Sequence, residues 1–217
     1  MKIFLLGATG RTGKLVLQLA IKKGYKVNCL VRNPEKIEIQ NNISIFKGSP
    51  SCVDDLRKAM EGCNCIISVL NISRNSDFPW SKIRTPKYFL SDVMSKTLAI
   101  ATDKNVQRII ICSAWGVSET KHEIPKWFKW LIENSNIAIA YEDHERQEKL
   151  LQQATLNWTI VRLAGLTNSN KKQTVRESFN NNPRPKLTIS RLALAKYMIE
   201  TIEKENSIGK KVVVSKE

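Results

Sequence analysis

The chain has 217 residues, 42% hydrophobic and 25% charged, which are the proportions of a single globular domain able to bury a core of its own. No apolar run approaches the ~20 residues of a membrane span, and the N-terminal apolar run lacks a secretory leader's layout, so a cytoplasmic protein with no membrane partner is expected. The formal charge of +15 would suit a nucleic-acid binder; because Lys and Arg are scattered among acidic residues with no DNA-reading motif, a basic cofactor pocket on a basic surface is expected instead, without nucleic acid.

The first twenty-odd residues carry the most information. An apolar run over residues 3–6 reads as a strand and breaks at Gly7-Ala8-Thr9-Gly10-Arg11-Thr12-Gly13, and residues 14–24 read as a helix closed by Gly24. Strand, glycine turn and helix in that order are the context of a dinucleotide fingerprint, although the spacing is G-x-x-G-x-x-G. Gly7 would allow the turn, Gly10 would admit a pyrophosphate to the backbone, and Gly13 would let helix and strand pack closely. Thr9, Arg11 and Thr12 complete the phosphate loop, and the helix N-terminus supplies free N–H groups and partial positive charge.

A second strand is predicted over 26–31, then a short turn opened by Asn33 and Pro34. In such a fold a carboxylate ending this strand holds a ribose 2′-hydroxyl, whereas an arginine accommodates a 2′-phosphate. Here Arg32 ends the strand, no Asp or Glu occurs before Glu35, and Arg11 and Lys36 add charge, so the expected cofactor is NADPH. A third strand spans 43–48, and Ser51 to Asp54 reads as a capping-box start to a helix through Met60. A near-continuously apolar fourth strand over 65–70 is followed by a polar loop, a helix over 87–104 and a fifth strand over 108–113. Leu70, Asn71 and Ile72 then fall where the sheet's carboxyl edge meets a cofactor's central part.

The second half is less regular. It offers a short helix begun near Pro125, a helix over 142–153, a sixth strand over 157–163, a loop over 168–184, a last helix capped by Ser190 and an edge strand over 211–215. Apolar strands alternating with helices predict an α/β, Rossmann-type, doubly wound parallel sheet in one domain over 1–217, with substrate-side connections at 71–86, 114–140 and 164–190. The five cysteines offer no metal-ligand spacing; Cys29, Cys63, Cys65 and Cys112 lie in apolar segments as reduced thiols do.

The glycine turn, and the late strand over 157–163, resemble those of the atypical short-chain dehydrogenase/reductases, especially the NmrA-like group and the biliverdin reductase B (flavin reductase) type. The resemblance covers nearly the whole chain. It implies an NAD(P)H-binding reductase and cofactor contacts at Leu70, Asn71 and Ile72, with Asn71 in place of a common glycine. It also implies an adenine contact at Ser49, where relatives carry aspartate. Ser113, ending the fifth strand, stands where a serine of such reductases contacts cofactor and donates to a substrate carbonyl. The usual Tyr-x-x-x-Lys partner is missing. The pattern His144-x-x-x-Glu148 sets His144 at the lysine position and Ala140 at the tyrosine position, with Tyr141 about 100° out around the helix. Ser113 and His144 are therefore the catalytic candidates, His144 as a proton donor or a ribose contact.

Trp80, Trp115, Trp127 and Trp130 all lie in connections beyond the strands' carboxyl ends. They read either as the roof of a pocket for a planar acceptor such as a flavin, quinone or tetrapyrrole, or, for Trp127 and Trp130, as anchors of their helix to the core. Residues 126–131 also read as a membrane-interface segment, set aside because it is short and flanked by Glu123 and Glu133. Two functions stay open beside the charge-motivated nucleic-acid binder: a reductase of a planar small molecule, and a regulator that senses NADP(H) without turnover. A monomer or weak homodimer is expected.

Overall fold

Alternation along the first strand sorts the core into two layers. In the computed structural model, which describes residues 1–217, β1 (Lys2–Leu6) sends Ile3 and Leu5 to one face and Phe4 and Leu6 to the other, all four buried. Ile3 and Leu5 belong to a cluster of 26 buried residues beneath α1 (Arg11–Lys22) and α6 (Arg191–Thr201). Phe4 and Leu6 belong to a cluster of 17 beneath α2 (Val53–Met60), α3 (Phe89–Asp103) and α5 (Ile137–Gln152). A sheet covered on both faces needs strands apolar throughout, which is how its central strands read in the sequence.

The sheet runs β3 (Ile43–Lys47), β2 (Lys26–Val31), β1, β4 (Cys65–Ser68), β5 (Arg108–Ala114), β6 (Asn157–Leu163), β10 (Lys210–Lys216) and β8 (Val175–Ser178). All neighbours pair in parallel except β8, which is antiparallel to β10. This is the doubly wound Rossmann-type arrangement expected from the sequence. Strand order reverses between β1 and β4, and crevices for ligands open at the carboxyl ends of such a switch point. A two-stranded sheet of β7 (Gly165–Thr167) and β9 (Thr188–Ser190) lies beside the main one, and Ser190 caps α6 by accepting the Ala193 N–H at 3.1 Å.

Three local expectations are corrected. The helix expected from residue 142 begins at Ile137, because its first turn buries Ala140 with Ile72 and Leu90. The stretch 168–184 is not all loop: Val175–Ser178 pairs with Val213–Lys216, so β10 is an inner strand. The capping box at Ser51 does not form; Cys52 precedes α2 without a side-chain bond, and Asp55 accepts the Ser49 N–H at 2.9 Å. Of the five cysteines, all free, only Cys52 is exposed.

Of the glycines, Gly13 leaves the least room for a β-carbon, where α1 meets the end of β1. A β-carbon on Gly13 would lie 2.0 Å from the Gly7 carbonyl oxygen, a backbone atom with no room to retreat. Gly13→Ala should therefore lower stability by about 2 kcal/mol in urea unfolding, despite the helix propensity alanine adds. An unchanged midpoint would show that α1 can shift away from β1.

Candidate functional site

The glycine turn builds an anion cradle. Gly7 adopts φ +89°, a conformation that favours glycine, and its carbonyl accepts the Gly10 N–H at 3.0 Å. Gly10 precedes α1 without a side-chain cap, no acidic residue occupies the helix's first turn, and the N–H groups of Arg11, Thr12 and Gly13 have no protein partner. Free donors and the helix dipole together favour a phosphate there. Thr9 lies half-buried in the same turn.

Arg11 is engaged elsewhere. Its guanidinium makes a bidentate pair with Asp77 at 2.8 and 2.6 Å, and the hydrogen bonds from Arg11 hold the Asp77 carboxyl below its ordinary range. Asp77 tips a small hairpin in the 71–86 connection, in which Arg74 bridges to Ile83. From that tip Trp80 Nε1 donates to the Asn134 carbonyl at 2.7 Å, and Asn136 Nδ2 donates back to the Trp80 carbonyl at 2.9 Å. The hairpin thus crosses from α1 to the turn between α4 (Lys126–Glu133) and α5.

On the other side of the turn, Arg32 and Lys36 are exposed, and their side chains make no hydrogen bond or ion pair. The Ser49 hydroxyl accepts the Ser51 N–H at 3.3 Å. Leu70 is half-buried and Ile72 buried, while exposed Asn71 turns its Oδ1 onto the Ile72 N–H at 2.8 Å and to within 3.3 Å of His144 Nε2. Two candidates 73 residues apart are brought into contact. His144 is buried, its Nδ1 has no partner, and loss of water around the ring pushes its pKa down to about 4. Burial thus favours the neutral imidazole, which can still donate or accept a hydrogen bond through Nε2.

Ser113 faces inward. It is 2% exposed, and its hydroxyl donates to Glu148 Oε1 at 2.5 Å rather than standing open for a substrate carbonyl. Glu148 also accepts from Arg162 Nε at 3.0 Å and Nη2 at 2.6 Å. Arg162 continues to Glu119 at 2.8 and 3.1 Å, and Lys211 joins Glu119 at 2.7 Å. Burial alone would raise Glu119, but hydrogen bonds from Arg162 and Lys211 hold it down to about 2. The sequence reading missed this chain of charges. Its signal was an arginine within the apolar strand 157–163, where a buried guanidinium requires a buried acceptor.

The tryptophans divide differently from both readings. Trp115 is core, with its indole N–H donating to Glu123 at 3.1 Å, and the Tyr141 hydroxyl donates to the Trp115 carbonyl at 3.2 Å. Trp127 and Trp130 are exposed, so they do not anchor α4; Ile132 and Phe128 do. A cavity of about 420 Å³, lined by Gly116, Ile124, Ile132 and Tyr141 among others, lies between the exit of β5 and helices α4 and α5.

Residues 7–205 match the family described as NAD(P)H-binding. The photosystem II assembly factor Ycf39 of Trieres chinensis is 27% identical over 167 residues, 76% of this chain and 46% of that protein. The chain thus spans about half the length of the first curated relatives it matches. Among solved structures, a short-chain dehydrogenase/reductase of Veillonella parvula in complex with NADP superposes with TM-score 0.78 and 20% identity, covering 99% and 94% of the two chains. ChuY, an anaerobillin reductase of Escherichia coli O157:H7, gives TM-score 0.80 and 16% identity over 99% and 97%. These likenesses establish the fold, and no helix is long and apolar enough to cross a membrane.

His144 makes the site acid-sensitive. Its unfolded imidazole binds a proton near 6.5 and the folded one only near 4, so acid favours the unfolded chain. Stability should hold above about pH 6.5 and fall on the order of 3 kcal/mol in approaching pH 4. Urea unfolding across that range should show the decline, and His144→Gln should flatten it between pH 6.5 and about pH 5. The same slope in the variant would assign it to other groups.

Proposed function

Because the chain belongs to the NAD(P)H-binding family, matched over residues 7–205, we propose that it is an NADPH-dependent reductase that delivers hydride to a planar conjugated acceptor such as a flavin or quinone. The observation that carries the cofactor choice is Arg32, exposed and unpaired at the end of β2 with no carboxylate beside it. NADPH, when bound, supplies the hydride. The free N–H groups of Arg11, Thr12 and Gly13 would hold its pyrophosphate and Arg32 and Lys36 its 2′-phosphate, with Asn71 as a further contact.

The chain's chemistry is then mostly placement. Ser113 fixes the end of β5 through Glu148, and neutral His144 offers hydrogen bonds rather than a strong acid. A ring that takes hydride and obtains its proton from water suits a site without a Tyr-x-x-x-Lys pair. The cavity of about 420 Å³ beside Tyr141 is the proposed acceptor site, in the size range of small-molecule pockets. The fold-level likeness to an anaerobillin reductase supports a conjugated acceptor by analogy. A second reading, a sensor that binds NADP(H) without turnover, draws on Ala140 and a buried neutral His144 standing at the positions of the absent pair.

Two measurements test this. Calorimetry should find NADPH bound more tightly than NADH, with Arg32→Ala removing on the order of 1.5–3 kcal/mol of the preference; equal affinities in the unaltered protein would end the NADPH assignment. Flavins or quinones should accelerate NADPH oxidation, whereas binding without any reduced acceptor favours the sensor.

A further inference from the structure

Helix α4 turns its aromatic side to solvent. Phe128 and Ile132 pack inward with Trp115, while Trp127 and Trp130, three residues apart on one face, are 61% and 60% exposed. The hairpin tip adds Phe78 at 62% and Trp80 at 45%, their rings 5.2 Å apart, with Trp80 tied to the carboxyl end of α4 through Asn134. Four large aromatic side chains from two connections are thus exposed at the carboxyl end of the sheet, far more than scattered surface apolar residues require.

The unpaired charges on α4 itself are of one sign. Glu133, the only carboxylate of the helix, is paired with Lys121 at 2.9 Å, while Glu123, three residues ahead of the helix, accepts the Trp115 indole N–H at 3.1 Å and keeps its charge. Lys126 and Lys129, interleaved with the tryptophans, have no ion pair, and the chain carries +15 overall. Indole rings favour the headgroup region of a bilayer, and lysine stems reach past apolar surface to its phosphates. We propose that this face docks on an anionic phospholipid bilayer, with α4 lying in the headgroup plane. Pairing with Lys121 removes the negative charge of Glu133, the one carboxylate on the helix itself, and the unopposed lysines select an anionic surface over a neutral one. Lys129, Ile132 and Glu133 of the same helix also line the cavity beside Tyr141, so docking would bring that cavity to the membrane. The proposal stands whether or not the protein is a reductase.

Vesicle flotation of the full chain tests it, with phosphatidylcholine alone and with about one quarter phosphatidylglycerol, at ~0.15 M salt. Binding should occur only to the anionic vesicles. Trp127→Ser with Trp130→Ser leaves the net charge unchanged and should weaken binding on the order of tenfold or more. Lys126→Gln with Lys129→Gln should weaken it about fivefold per lysine. Lys22→Gln with Lys26→Gln, an equal charge change at the opposite end of the sheet, should leave most of it. Urea midpoints confirm that each variant is folded. The proposal is overturned by absence of anionic-vesicle binding, by insensitivity to the tryptophan change, or by an equal loss in the Lys22/Lys26 variant, which would mean diffuse charge. Self-association in sedimentation that the tryptophan change abolishes, with vesicle binding unaffected, would assign the patch to a second copy of the chain.

Discussion

Nothing fits between Gly13 and Gly7. With a hypothetical β-carbon only 2.0 Å from a carbonyl oxygen, α1 rests directly on the backbone where β1 ends, and the helix axis is set by that contact. The free N–H groups of residues 11–13 consequently emerge at the sheet's carboxyl edge. Parallel registers then bring the neighbouring strand ends to the same edge: Leu6 pairs with Leu30 on one side and Ser68 on the other. Arg32 and Asn71, just beyond those ends, thereby flank the glycine turn although they are 39 positions apart in the chain with a helix between them.

A second constraint works on the opposite side of the site. Arg162, Glu148, Ser113, Glu119 and Lys211 join β5, β6, β10 and α5 through a chain of charges whose centre, the Arg162–Glu148 pair, is out of water. A buried ion pair adds little net stability against a well-packed apolar substitute, yet losing one partner leaves an uncompensated charge. Its effect here is geometric. Glu148 fixes how α5 is turned, and His144, one helical turn earlier on the same face, is carried onto Asn71 as a result.

Most of the sheet was legible because parallel strands buried on both faces must be apolar almost throughout, and residues 3–6, 65–68 and 109–112 are. The strand β8 was not, since Val-Arg-Glu-Ser is short, mostly half-buried and followed by a turn with Asn180 and Asn181 at positive φ. The glycine turn was readable as local backbone chemistry. The partners of Arg11 and Ser113 were not, because Asp77 and Glu148 lie 66 and 35 residues away and only tertiary packing selects them. The tryptophans failed for a related reason: sequence places all four in connections, but burial of Trp115 and exposure of Trp127 depend on which side of each segment meets the core.

The distribution of thiols has a practical corollary for spectroscopy. Burial pushes Cys29, Cys65 and Cys112 up to about 12 and Cys63 to about 11, so almost none of their reactive thiolate form exists at neutral pH. Cys52, exposed ahead of α2 and three residues from Ser49, is the one accessible sulfur. The native chain therefore carries a single attachment point for a maleimide dye or spin label, positioned beside the second and third strands' end of the crevice without any cysteine having to be removed.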